Sequence, residues 1–396
     1  MPGWELFDEN EKKQVDEVME TGVIMRFGFD GARKGRWKAR EMENAIREHT
    51  GAAHALLVAD GTAVLTVTLA ALGIGAGDEV ITSPFTFVAT FESIMAAGAI
   101  PIFAEVDETL CLSPESVREY ITPRTKAVMP VHMCGAAADL DALKSICDEH
   151  GILLVEDACQ AFGATYKGRA VGTLGDAGCY SFDFNKIVTC GEGGALVTNR
   201  GEVYERANRY HDHGHDHSMS DRGAEGHDFP GYNYRITELH AAIGLAQIAK
   251  TDRFLAIQRE NKRIFKDEFA AIDGIEPRKL PDPEGDSGTF VTFFAKNEEI
   301  AHRVTRSLKE SGAEGVFHWY DNNWHYIRNW KHFKERRFVN PVPKDILDGM
   351  PDYTKREFKS DAIMSRVVSV SIKLGWSKEE AAERAKRAAN AIRHAL

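Results

Sequence analysis

The stretch SFDFNKIVTCGEGG, residues 181–194, places Lys186 shortly after Ser181 and just ahead of a glycine-rich turn. A surface lysine needs no such setting, whereas a lysine that must reach a ligand in a narrow pocket does. Such an amine can condense with a carbonyl or carry a proton. Asp157 closes the apolar run GILLVED, together with Glu156. A carboxylate at the rim of a core costs free energy unless a cation faces it. Gly61-Thr62, in VADGTAVL, join a short apolar run to a helical pattern. Backbone N–H groups at the start of that helix are free to hold an anion.

Singly, each feature has an ordinary explanation. Gly61-Thr62 reads as a strand-to-helix turn capped by Asp60, and Asp157 as an acidic helix cap. Together they match one cofactor. Pyridoxal 5'-phosphate needs an anion pocket, a carboxylate that keeps its ring nitrogen protonated, and a lysine for its aldehyde. A dinucleotide site would require GxGxxG after the first strand and an acid about 20 positions later. Neither occurs here.

These residues need a frame. Short apolar runs alternate with helical patterns from about residue 40 to 250, as in parallel strands joined by crossover helices. Strands are expected at Ala55–Val58, Glu79–Thr82, Ile100–Ala104, Ala127–Pro130, Ile152–Glu156, Gly178–Ser181 and Ala195–Thr198. Their continuous apolar character suits strands covered on both faces. Helices are expected at Ala63–Leu72, Phe91–Ala97 and Asp139–Glu149. The class is α/β, and the three features fall at strand carboxyl ends, where open parallel sheets bind ligands.

Beyond Gly231, TELHAAIGLAQIAKTDRFLAIQRENKRIFKDEFAAI is a long helical pattern broken at most once. FVTFFA and VVSVSI read as strands, and SKEEAAERAKRAANAIRHAL opens at capping-box spacing. Residues 1–250 are expected to form a large cofactor-binding α/β domain with an N-terminal arm, and 251–396 a small C-terminal α+β domain.

Composition narrows the class. The chain has 396 residues, 43% of them hydrophobic, and a formal charge of −11. That balance, without a long basic run, argues against nucleic acid. The six cysteines form no CxxC pair, the N-terminus lacks a signal-peptide pattern, and no apolar run approaches a membrane span. A cytoplasmic enzyme with reduced thiols and no membrane partner is expected.

The segments VADGTAVL, SPFTFVATFESI, VEDACQAFGATYKGRAVGTLGDAGCYSFDFNK, CGEGGALVT and GYNYRITELHAAIGLAQ resemble, in order, signature segments of the DegT/DnrJ/EryC1/StrS sugar aminotransferases. These are fold-type I pyridoxal-phosphate enzymes. The resemblance implies a mainly parallel seven-stranded sheet in an αβα sandwich. It makes Lys186 the Schiff-base lysine and proton shuttle, pairs Asp157 with the ring nitrogen, and brings Gln160 to the ring hydroxyl. Phe87 would stack on the ring, while the backbone of Gly61 and Thr62 and the hydroxyl of Ser181 would hold the phosphate. Asn233 would complete the phosphate site of a neighbouring subunit, making a homodimer with shared sites. L-glutamate would be the amino donor and a keto or aldehyde sugar the acceptor. Related sugar dehydratases carry histidine where Lys186 stands, so the resemblance implies transamination.

Two positions depart from the family pattern. Asp60 replaces the usual Asn or Ser and is expected to point away from the phosphate. Asp183-Phe184 replace a usual His-Pro pair.

Other stretches bear on the substrate. HDHGHDH, residues 211–217, clusters imidazoles as a metal site does, but nothing else in the chain supplies remaining ligands. No metal is expected, and His215 is read as a substrate contact. MRFGFDGARKGRWKARE gathers Arg26, Arg33, Lys34, Arg36, Lys38 and Arg40, which suits an anionic substrate or a solvated face. FHWYDNNWHYIRNW adds His318, Asn322, Asn323 and His325. Arg26, His215, His318 and Asn322 are the expected substrate residues. These stretches and RGAEGH resemble the branch of the family that aminates the C8 aldehyde of 3-deoxy-octulosonate (Kdo) for lipopolysaccharide. A nucleotide-linked keto sugar is the alternative acceptor. A sugar dehydratase or a non-catalytic regulator on the same fold is a more distant reading.

Overall fold

A computed structural model describes residues 2–218 and 222–396. Helices α1 (Glu9–Met19) and α2 (Lys38–Thr50) precede the first strand, β1 (His54–Val58). Then follow α3 (Gly61–Ala71), β2 (Glu79–Thr82), α4 (Ala89–Ala96), β3 (Ile100–Phe103), α5 (Pro114–Tyr120), β4 (Thr125–Met129), α6 (Leu140–His150) and β5 (Leu153–Asp157). A hairpin of β6 (Thr165–Tyr166) and β7 (Arg169–Ala170) leads to β8 (Ala177–Ser181), β9 (Gly194–Thr198), α7 (Gly201–Tyr210) and α8 (Glu238–Ile248).

Seven of these strands form one sheet in the order β1-β9-β8-β5-β4-β2-β3. Only β9 runs antiparallel to its neighbours. Residues of β2, β3, β8 and β9 are buried throughout, as required of strands with helices on both faces. Helix α3 is buried along nearly its whole surface, between the sheet and its neighbours α4 and α7. That explains its uninterrupted apolar sequence. All seven expected strands form, with ends displaced by one or two residues.

The long helical pattern after Gly231 divides into α8 and α9 (Thr251–Ala270). At the break, Lys250 Nζ donates to Glu11 Oε1 at 2.7 Å and to Leu6 O at 3.1 Å, so the N-terminal arm occupies the joint. Beyond it come β10 (Ile275–Pro277), β11 (Phe290–Ala295), α10 (Glu298–Glu310) and β12 (Val316–His318). The chain continues through α11 (Lys331–Lys334), α12 (Lys344–Gly349), α13 (Asp361–Met364), β13 (Val367–Ser371) and α14 (Lys378–Ala395). A second, antiparallel sheet takes the order β10-β11-β13-β12. Its core joins Phe265, Phe269, Phe293, Val304, Val368 and Ala388 from helices α9, α10 and α14 and the strands. The expected capping box of α14 forms between Ser377 and Glu380.

The span between β12 and β13 has no clear sequence periodicity, and it returns to the large sheet. Phe91 lies 4.7 Å from both Trp330 and Phe333, and Phe103 lies 5.2 Å from Tyr353. Ser360 donates its hydroxyl and its N–H to Glu105 Oε2, at 2.6 and 3.0 Å. Within this span, Thr86 N–H donates to His325 O at 2.9 Å and Val88 N–H to Trp324 O at 3.0 Å. The late segment thereby closes over the carboxyl end of the large sheet. Among the described residues, no helix is long and apolar enough to cross a membrane.

Candidate active site

The turn from β1 into α3 builds an anion cradle. Asp60 caps the helix, its Oδ1 accepting from Ala63 N–H at 2.8 Å. The N–H groups of Gly61 and Thr62 have no protein acceptor among the described residues. Free N–H groups and the positive end of the helix dipole both favour an anion here. Asp60 turns its carboxylate onto its own helix. A Cβ on Gly61 would lie 2.8 Å from Ser181 Oγ, so glycine is what lets Ser181 approach the helix start. Ser181 Oγ accepts from Asp183 N–H at 3.3 Å, which leaves its own proton for a ligand.

Asp157 ends β5 with 3% of its surface exposed. Oδ2 accepts from Thr90 Oγ1 at 2.7 Å and Oδ1 from Cys159 N–H at 3.1 Å. Thr90 in turn shares a 2.7 Å hydrogen bond with Thr86. No lysine, arginine or histidine pairs with Asp157 among the described residues. A buried carboxylate in that state calls for a cation from outside the chain. Its neighbour Glu156 points to the opposite face, as strand alternation demands. Glu156 is saturated by the N–H groups of Gly172, Leu174 and Gly175 and by His132 Nε2. It holds a loop and has nothing left for a ligand.

Lys186 sits in the loop after β8, its N–H bonded to Asp183 O and its carbonyl to Gly3 N–H, both at 2.9 Å. Its Nζ makes no hydrogen bond or ion pair among the described residues. Phe184 stacks on Trp4 at 5.4 Å, so the departure from His-Pro anchors the N-terminal arm. Burial pushes the Cys159 thiol well up, and the Asp157 charge adds to this, against Lys186. Gln160 Oε1 accepts from Cys134 N–H at 3.2 Å, which orients the amide and leaves its N–H donors available.

His325 is the residue of this pocket that the expected set omits. Burial, then the Lys186 charge, lowers its pKa to about 4. Its Nδ1 bonds Asn322 Oδ1 at 2.9 Å, so Nδ1 carries the proton and Nε2 is an acceptor. Phe87 stacks on Trp324 at 5.6 Å and meets His325 at 5.5 Å. The dense aromatics of 317–330 were a signal. Their contact with Phe87 depends on a backbone pairing across more than two hundred positions.

Several expected substrate residues have other partners. Arg26 is 5% exposed and pairs with Glu43 Oε1 at 2.5 Å. It lines a cleft of about 350 Å³ with Arg40, Arg47 and His54, at the end of β1 opposite the cradle. Arg33 packs on Trp37 and faces Glu238, Arg36 pairs with Glu20, and Lys38 with Glu17 and Glu41. The cationic cluster is largely neutralised within the chain. His215 Nδ1 lies 2.7 Å from Glu225, and His217 stacks on Phe27. His211 is buried, and burial with the Arg26 charge lowers its pKa to about 3. His318 lies on the opposite face of β12 from Phe317 and Trp319, with Asp321 and Ser365 at its ring nitrogens. Asn322 acts on the pocket through His325. Asn233 is exposed, in a segment paired to the edge of β1 through Val58 and Arg235, and its side chain has no partner among the described residues.

An anion cradle that a Cβ would fill, a buried carboxylate lacking a cation and an unpaired lysine fit pyridoxal 5'-phosphate. Fold and site together define a fold-type I enzyme that uses this cofactor.

Comparisons agree. The sequence profile of the DegT/DnrJ/EryC1/StrS aminotransferase family matches residues 6–342. The chain is 38% identical over 266 residues to GDP-perosamine synthase of Vibrio cholerae, covering 67% of this chain and 69% of that protein. It superposes on the crystal structure of 3-amino-5-hydroxybenzoic acid synthase with a TM-score of 0.80 and 31% identity, covering 98% of this chain and 97% of that one. NtdA of Bacillus subtilis, with bound cofactor PMP, shares the fold at a TM-score of 0.80 and 21% identity, over 99% of this chain and 84% of its own. The chain belongs to the DegT/DnrJ/EryC1/StrS aminotransferase family. It is a pyridoxal-phosphate-dependent aminotransferase of the sugar-modifying type.

Proposed function

We propose that this enzyme moves the amino group of L-glutamate to the C8 aldehyde of 3-deoxy-octulosonate, giving 8-amino-3,8-dideoxy-octulosonate. The pairing of an unpartnered Lys186 with a cation-seeking Asp157, in a pocket closed by residues 322–327, carries the transamination reading. Bound pyridoxal phosphate supplies an electron sink for the carbon that loses or gains a proton. Asp157 keeps a proton on the ring nitrogen, with its two oxygens aimed by Thr90 and Cys159 N–H. Lys186 Nζ, free of other partners, carries the proton between donor and acceptor carbons. Gly61, Thr62 and Ser181 anchor the phosphate, and Gln160 donates to the ring hydroxyl. Phe87, Trp324 and His325 exclude water from one face. Asn233, exposed beside the β1 edge, is offered to the phosphate of a second copy, which makes a homodimer the working unit.

The octulosonate reading is supported by the stretches 25–41, 211–217, 222–227 and 317–330, and any carboxylate contact must come from groups other than the Glu43-bound Arg26. A nucleotide-linked keto sugar is the second reading, favoured by the likeness to GDP-perosamine synthase. The test uses cofactor-loaded protein. L-glutamate should remove its visible absorbance, and the acceptor should restore it. Restoration by the octulosonate aldehyde alone supports the first reading. Restoration by a nucleotide keto sugar instead replaces the substrate and keeps the mechanism.

A further inference from the structure

Three side chains of the small sheet converge away from the cofactor site. His302 projects from α10, His318 ends β12, and Asp321 lies in the 3-10 turn Trp319–Asp321. Their ligand atoms all lie within 4.8 Å of one another. His318 is 8% exposed and held from both sides. Its Nε2 faces Ser365 O at 3.0 Å, and a carbonyl only accepts, so Nε2 carries the proton. Its Nδ1 then faces Asp321 Oδ2 at 2.9 Å, another atom that only accepts. A second proton or a cation must sit between them.

Further donors surround that position. His302 Nε2 is 3.5 Å from the same Asp321 oxygen and 3.7 Å from Glu298 Oε1, and the two imidazoles are 4.5 Å apart. Bonds of about 2.0–2.1 Å in a tetrahedron place ligand atoms roughly 3.3 Å apart. The observed 2.9 and 3.5 Å bracket that spacing. A histidine whose other nitrogen donates to a backbone carbonyl is also the usual form of a metal-bound imidazole. Arg328 approaches only the other Asp321 oxygen, at 4.0 Å, and leaves the convergent face open.

We propose that His302, His318 and Asp321 bind one divalent transition-metal cation, with Glu298 or water as the fourth ligand. Two imidazoles and a carboxylate select zinc-type cations over magnesium or calcium, which take oxygen ligands. The site joins α10 and β12 to the residue before Asn322, whose side chain orients His325 in the pocket wall. The cation therefore fixes the root of the segment that closes the active site.

Chelator-treated, cofactor-loaded enzyme titrated with zinc chloride in a calorimeter provides the test. One zinc per chain is expected. His302→Ala and Asp321→Asn, both at exposed positions, should each weaken binding at least about 10-fold while the visible spectrum of the bound cofactor persists. His215→Ala should bind zinc as wild type does. Absence of zinc binding in the wild type overturns the site. So does binding unchanged in both exposed variants, or lost in His215→Ala alone.

Discussion

Two regions of this protein are dense in ionisable residues, and they use them in opposite ways. Around the cradle, Asp157, Lys186 and the N–H groups of Gly61 and Thr62 are held in place yet lack charged or anionic partners among the described residues. Around the histidine loop, Asp212 is fully buried and takes Arg222 and Arg235 on one oxygen, at 2.7 and 2.5 Å. Arg26 takes Glu43, and His211 is neutralised by burial. Density of charge therefore does not mark function here. What marks it is a polar group supported by neighbours that leave one valence open, and folding places such groups at strand ends where a ligand can reach them.

The comparison predicts distinct losses. Lys186→Ala should lower the transamination rate by about 10⁴-fold, the upper range for a positioned acid–base group, while cofactor still binds through the cradle. Single-turnover kinetics beside a cofactor titration check both halves. Asp157→Asn keeps the shape and removes the charge, so kcat should fall roughly 10²–10³-fold with the unfolding midpoint nearly unchanged. In the histidine loop the signs reverse. Asp212→Asn should cost about 3–5 kcal/mol of stability by stranding two arginines, read from urea unfolding, with a much smaller effect on kcat of cofactor-loaded protein.

Acid should weaken the fold at one histidine in each region. The pKa values of His211 and His325 are depressed on folding, to about 3 and about 4, so the folded chain binds fewer protons than the unfolded chain below the ordinary histidine value of 6.5. Their stabilisation is complete above about pH 6.5 and is lost as pH falls toward 4, by roughly 3 kcal/mol for each histidine. Urea unfolding across that window should show the slope, and His211→Asn should flatten it. The smallest effect is Gly61→Ala. Its Cβ would crowd Ser181 Oγ at 2.8 Å, and loss of one charge-assisted contact should weaken cofactor binding about 10–100-fold. An unchanged cofactor affinity would remove the cradle from the site.

Much of this was legible in the chain. The parallel strands appear as continuous apolar runs because both faces are covered. Gly61-Thr62, Asp157 and Ser181 stand out because strand ends are where such a sheet leaves polar groups. The helix break at Lys250 was less visible, since the residue that holds it, Glu11, is far away in sequence. Glu156 and Asp157 look alike in sequence and differ only in the face their strand gives them.

The sequence by itself determined the class of sheet and the cofactor, and it named the residues proposed to hold that cofactor, because these follow from local apolar patterning and from turns whose chemistry is written in adjacent residues. Only the tertiary structure decided which charges are free. Arg26, His215 and His318 look available in the chain, yet Glu43, Glu225, and the pair Asp321 and Ser365 meet them. His325 became a pocket wall through backbone pairing with the 85–88 segment. A charge is neutralised by whatever packs beside it, and that neighbour is chosen by the fold rather than by position along the chain.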